Sequence, residues 1–204
     1  KARQNLDHLI SEKALRRDVQ ANYYLYRQIM GSHSQLGLVA VASCAEYDDN
    51  TIRKHEFTRP DKENDRVSHL EALDAQTGPV FLTYSADKEL DNLFNRVTEG
   101  NPNVDFTAID GVQHTSWTVT SSEDTSFIDK KFSGIQNLYI ADGHHRSAAA
   151  SRVNQSRSGA GNSGLFLTVI FPHDQMQILP YNRVVRDLNG LSLEEIHNSL
   201  GKVF

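Results

Sequence analysis

Cysteine is almost missing from the chain. Cys44 is the only one in 204 residues, so no internal disulfide is possible. That suits a reducing compartment, and a cytoplasmic location is the expectation. A basic surplus is missing too. Lys and Arg number 21 against 26 Asp and Glu, a net charge of -5, whereas a nucleic-acid-binding domain normally carries an excess of cations. No nucleic-acid partner is expected, although a local basic site remains open. No apolar run is long enough to span a bilayer, and polar residues interrupt the first stretch throughout, leaving no signal-peptide pattern. No membrane role is expected. Internal repeats are absent. The rest is ordinary, with 38% hydrophobic and 23% charged residues, and the length suffices to bury a real core.

Both ends read as parts of a longer protein. Leu6, Leu9 and Ile10 already follow a helical repeat with no cap before them. Ser192 and Glu195 form a capping-box pattern, so a helix starts there and runs nearly to Phe204. Between them, the spacing predicts an amphipathic helix over 4–16 and a tyrosine-rich strand over 22–30. A turn at Gly31-Ser32-His33-Ser34 and an apolar strand over 35–43 make a hairpin. A polar turn follows at Asp48-Asp49-Asn50. Pro60 suits the first turn of a helix reaching about Ala75, with Asp61 and Glu63 at its positive end.

Val80–Tyr84 reads as a strand and 87–98 as a helix. Asp110-Gly111 marks a hairpin between two strand-like runs, with Trp117 and His114 as packing residues. A helix is predicted over 123–132 and a buried strand over Leu138–Ala141. Small residues from Ser147 to Ser151 start the next helix, and 156–164 is a flexible loop by composition. Two strands are predicted over 165–171 and 175–179. Leu179-Pro180-Tyr181-Asn182-Arg183 reads as a strand edge, with substrate binding as its alternative. This mixture predicts an α+β fold, a mixed sheet with hairpins and flanking helices.

The chemistry concentrates at Asp142-Gly143-His144-His145-Arg146, where a buried strand hands over to a helix. The first N–H groups of a helix lack intrahelical partners, and that end carries partial positive charge. A glycine lets a ligand approach the backbone closely. Together these make an anion site, to which Arg146, the two imidazoles and the Ser147 hydroxyl add donors. Two other readings stand beside it. Asp142 can be a plain helix cap with surface histidines. A metal site is disfavoured, because adjacent helical residues point about 100° apart and His144 and His145 would not share one ion.

A second centre is Arg53-Lys54-His55-Glu56, just before the proline helix. Glu56 stands among Arg53, Lys54, Arg59, Lys62 and Arg66. The cations suit phosphates or a carboxylate, and the lone acid suits proton acceptance. The alternative is a solvated charged loop.

These residues carry a resemblance. Tyr139-Ile140-Ala141-Asp142-Gly143-His144-His145-Arg146 resembles the signature of free L-serine kinases of the ParB/sulfiredoxin-like superfamily. Those kinases carry an Asp-Gly-His-His-Arg turn after a strand, and upstream a Lys-Pro-His-Glu segment whose glutamate is the catalytic base. Arg53-Lys54-His55-Glu56 stands in the matching place, so the resemblance gives Glu56 that role. Nearly the whole chain also resembles a widespread bacterial family. That family shares the His-Glu-x-Thr-Arg-Pro-Asp-Lys-Glu pattern, seen here from His55 to Glu63, the Ala-Gln-Thr-Gly-Pro-Val-Phe run at 75–81, and Leu-Pro-Tyr-Asn-Arg-Val-Val at 179–185. There are departures from the kinases. Lys54 replaces their proline, and the stretch from Glu56 to Asp142 is longer, including a hairpin over 104–120. The base and serine pockets therefore do not transfer residue by residue.

The resemblance implies one ParB/sulfiredoxin-like unit over 1–204 that moves a phosphoryl group from ATP or ADP to free L-serine. Phosphate would sit on the N–H groups of Gly143 to Arg146, with His144, His145 and Ser147 around it. Apart from the resemblance, the Asp142 carboxylate suits Mg²⁺, and His55, Arg59 or Arg183 suit the substrate. The alternative is a nucleotide-binding module without catalysis, as in ParB-like proteins that bind CTP. Sulfiredoxin-like chemistry needs a cysteine in the turn, and this turn has none.

Overall fold

The computed structural model describes every residue except Tyr181, Arg183 and Phe204. The expected substrate role of Arg183 therefore lies outside the described residues. The chain forms one mixed sheet, and the α+β expectation holds. The strands are β1 (Tyr23–Met30), β2 (His33–Ser43), β3 (Ile52–Arg53), β4 (Val80–Tyr84), β5 (Val104–Thr107), β6 (Gln113–Val119), β7 (Leu138–Asp142) and β8 (Leu165–Pro172). Their order across the sheet is β3-β7-β4-β8-β2-β1-β6-β5. β3 runs parallel to β7 and β4 parallel to β8, and the remaining pairs are antiparallel.

The helices are α1 (Ala2–Ser11), α2 (Cys44–Asp48), α3 (Pro60–Leu73), α4 (Lys88–Thr98), α5 (Ser122–Ser133), α6 (His144–Ser156) and α7 (Leu193–Leu200). None among the described residues is long and apolar enough to cross a membrane. Local chemistry explains most boundaries. Pro60 stands in the first turn of α3, where a missing N–H costs nothing. Asp87 and Ser121 cap α4 and α5 with their side chains. Ser192 and Glu195 close the expected capping box on α7. The Asp110-Gly111 hairpin is present, with Gly111 at φ +83°.

Some expectations fail. Residues 44–48, for which no element was expected, form α2, because the Ser43 hydroxyl accepts from the N–H groups of Ala45 and Glu46 and turns the chain. Cys44 is therefore a buried helix residue. A strand over 175–179 does not form. His173–Gln175 is a short 3-10 turn, and Gln175 turns its side-chain oxygen to the N–H of Leu36 at 2.8 Å. The first helix ends at Ser11 instead of residue 16.

The core is continuous across the sheet. Leu25, Leu38, Leu82, Ile140 and Phe166 meet Leu90 and Phe94 of α4 and Ile128 of α5. α3 and α6 pack against each other, and α6 also touches β4 and β8. Ala148, Ala149 and Ala150 are buried on α6, and their small size permits this close approach. Gly37 serves the same end on β2. A Cβ there would stand 2.8 Å from the ring of the buried Phe171 and 3.0 Å from the Ile170 carbonyl oxygen. Gly37→Ala is thus expected to destabilise the fold by about 1–3 kcal/mol through overpacking. Urea unfolding measures it, and a midpoint equal to the parent's would show that Phe171 shifts freely.

Candidate active site

The site begins where β7 leaves the core. Ile140 is buried, and Asp142 ends the strand with its carboxylate exposed. Gly143 follows at φ +101°, a left-handed conformation that favours glycine. A Cβ at Gly143 would also meet the Arg146 guanidinium at 3.1 Å. The chain enters α6 at His144 rather than at Ser147, so both histidines and Arg146 lie in the first helical turn. No side chain caps this N-terminus. The Gly143 carbonyl accepts the N–H of Arg146 at 2.8 Å and of Ser147 at 3.0 Å. The Arg146 N–H is therefore already bonded, while the N–H groups of His144 and His145 have no partner within the helix.

Both imidazoles act as staples. His144 Nε2 lies 3.5 Å from the His55 N–H, and His145 Nε2 accepts the Arg59 N–H at 3.1 Å. Neighbouring helical side chains diverge by about 100°, so the pair reaches two separate amides of the 55–59 segment. That segment is tied down further by Lys54, whose ammonium donates to the Tyr47 carbonyl at 2.6 Å. Thr58 closes it by donating to Glu63 at 2.7 Å. In this way the segment preceding α3 is stitched to the start of α6.

The stitching brings Glu56 to the turn. Its Oε2 stands 3.4 Å from His144 Nδ1. His144 is 3% exposed, and its ring meets that of His55 edge to face at 4.5 Å. Burial pushes the His144 imidazole below the usual histidine range, and His55 adds to that shift against the opposite pull of Glu56 and Asp142. A neutral ring that accepts at Nε2 carries its proton on Nδ1, so that hydrogen faces the Glu56 carboxylate. Glu56 itself keeps 58% of its side chain exposed.

Arg146 is braced from two sides. Its guanidinium bonds Asp142 Oδ2 at 2.6 Å and donates to the Pro79 carbonyl. It passes close to Gly78, where a Cβ would stand 3.3 Å from Nη1. Asp142 is thus an ion-pair partner of Arg146 across the turn, not a cap of α6.

An open cleft of about 440 Å³ lies over this turn. Glu56, Arg59, Lys62, Arg66, Asp142 and residues 143–146 line it. Arg59, Lys62, Arg66 and Arg146 outweigh the Glu56 and Asp142 carboxylates, so the cleft is cationic on an acidic chain. Of the expected site residues, Glu56, Arg59, Asp142, Gly143, His144, His145 and Arg146 are brought together here. Arg59 stands on the rim, forked onto Asp61 at 2.9 and 3.2 Å. His55 packs on His144 and is not part of the lining. Ser147 is fully buried, with its hydroxyl donating to the His144 carbonyl at 3.1 Å, so it has no free reach to a ligand. Lys62 and Arg66, expected only as members of the cation group around Glu56, also line the cleft. Lys62 and Arg66 stand four residues apart on α3 and so share one face, and Arg59 joins them from the extended N-cap position.

Among the described residues no group of three or more His, Cys, Asp or Glu is arranged to hold a metal ion. A hard cation sharing phosphate oxygens needs less, one or two carboxylates, and the exposed Asp142 carboxylate meets that condition.

Fold and site together define an α+β protein with an open, cationic cleft at a strand-to-helix turn. The chain belongs to the DUF1015 family, described as a protein of unknown function, whose family model matches residues 1–204. No curated protein and no solved structure matches the chain.

Proposed function

We propose that this chain is a small-molecule kinase that transfers a phosphoryl group from ATP or ADP to the hydroxyl of free L-serine. The observation that carries the reading is the placement of one carboxylate, Glu56, against a cationic cleft at a helix N-terminus. Phosphoryl transfer asks chiefly for positioning and for charge stabilisation. Donor phosphates rest on the N–H groups of His144 and His145 and between Lys62, Arg66 and Arg146. The His144 Nδ1–H holds the Glu56 carboxylate in place. Glu56 takes the proton of the serine hydroxyl, the hydroxyl oxygen bonds the terminal phosphorus, and the bond from phosphorus to the nucleotide oxygen breaks. The products are O-phosphoserine and the shortened nucleotide. Arg59 is the cation on the rim suited to the serine carboxylate.

Asp142 would hold Mg²⁺, with phosphate oxygens and water as the remaining ligands. Bound there, the ion would neutralise phosphate charge. The sheet is read as a ParB/sulfiredoxin-like core, on the resemblance of the Asp142–Arg146 turn, and the location as cytoplasmic, on the lone buried Cys44. The second reading is a nucleotide-binding module without transfer. The exposure of Glu56 favours it to this extent, that a base this open needs bound substrate to exclude water.

The test supplies ATP or ADP with Mg²⁺ and serine to the protein and assays O-phosphoserine by mass spectrometry. Product from either donor is the expected result. Nucleotide binding with no product from either donor would favour the non-catalytic module and remove the serine assignment.

A further inference from the structure

A second pocket, of about 310 Å³, adjoins the phosphate cleft. Arg66 and Arg146 line both, so the two hollows share a wall of guanidinium groups. Their characters differ. The cleft is lined almost wholly by charged groups and backbone. The second pocket has an apolar floor, with Val80 and Ala149 buried and Leu70 and Ala75 half-buried. No carboxylate lines it. Gln76 does not contribute a free amide, because it is spent on β8. Its nitrogen donates to the Leu165 carbonyl at 2.9 Å and its oxygen accepts the Leu167 N–H at 2.5 Å. The half-buried His69 ring offers a flat face.

We propose that this pocket receives the nucleoside of the phosphate donor. Resting on the kinase reading, this orients the nucleotide. Its terminal phosphate points toward Glu56, its inner phosphate lies at the wall of Arg66 and Arg146, and its base sits on Leu70, Val80 and Ala149. A zwitterionic amino acid does not suit the pocket, since no acid is present to meet its ammonium group. The acceptor must also reach Glu56, which lines only the other cleft. An aromatic base tethered to phosphates meets both conditions, because its faces are apolar and its charge ends at the arginine wall.

Titration calorimetry with ADP and with inorganic pyrophosphate, both with Mg²⁺, tests this. Pyrophosphate fills the cleft alone and reports whether it is intact. The native protein is expected to bind ADP more tightly than pyrophosphate. Leu70→Ala should weaken ADP about tenfold, as removal of part of an apolar wall implies, while pyrophosphate changes by less than about twofold. His69→Ala, at a half-buried position that spares the core, should shift the two ligands in the same unequal way. Equal affinity of the native protein for both ligands would overturn the proposal, as would equal weakening of both ligands by the two variants. Failure of the native protein to bind either ligand would instead remove the phosphate reading beneath it, and this proposal with it.

Discussion

Glu56→Gln is expected to lower turnover by about 10²–10⁴-fold, the range for loss of a positioned general base, while leaving nucleotide affinity nearly unchanged. Glutamine keeps the length of the side chain and an oxygen that can accept from His144 Nδ1–H, which stands 3.4 Å from the native carboxylate. What it loses is basicity. The pre-α3 segment should stay in place, because its ties run through the backbone N–H groups of His55 and Arg59 and through Lys54 and Thr58, not through Glu56. A steady-state assay separates the two effects, with kcat falling and the nucleotide dissociation constant holding. A variant with native kcat would remove Glu56 from the chemistry.

Arg146 carries the second large effect. Its guanidinium forks between Asp142 and the Pro79 carbonyl, beneath Gly143 and beside Gly78. That fork both braces the turn and puts a cation in the cleft. Removing a guanidinium that stabilises a transferring phosphoryl group costs about 10³–10⁵ in rate, so Arg146→Ala should approach that loss. Arg146→Lys keeps the charge but has no planar fork to join two acceptors. It should recover little of the activity and lower the thermal midpoint alongside Arg146→Ala. Near-native activity in Arg146→Lys would mean that charge alone matters, and that the bracing of Asp142 plays no part.

Most of the fold was readable where local chemistry decides it. Pro60, Asp87, Asp110-Gly111 and Ser192 each mark a boundary that the structure keeps within a few residues. The differences have two causes, one local and one long-range. α2 depends on one hydroxyl, that of Ser43, capping a run too short to show a period. The absent strand at 175–179 follows from Gln175 pairing with β2 through its side chain, a contact across more than a hundred residues of sequence. Strand order was not readable at all, since β8 lies between β4 and β2 through long-range pairing.

At the site, residue types and backbone were legible and side-chain direction was not. The glycine turn, the cations and Glu56 could be named from the sequence. The histidines were expected to face a phosphate, yet both rings accept backbone N–H groups from the 55–59 segment. Their place in the first turn of α6 brings this about, and the sequence put that turn too late. Ser147 fails for the same reason, because a later start would have exposed a hydroxyl that is in fact buried. Lys62 and Arg66 were legible only as members of the charged run around Glu56.

On the proposed function, the Glu56 segment and the Asp142–Arg146 turn form one phosphoryl-transfer site. A single-turnover experiment tests it most directly. ATP labelled on its terminal phosphate, or ADP labelled on its β-phosphate, is bound to the native protein and to Glu56→Gln, and serine is then added. Label on serine is expected with the native protein, and bound but untransferred nucleotide with Glu56→Gln. Bound nucleotide that passes no label to serine from either donor in the native protein would contradict it.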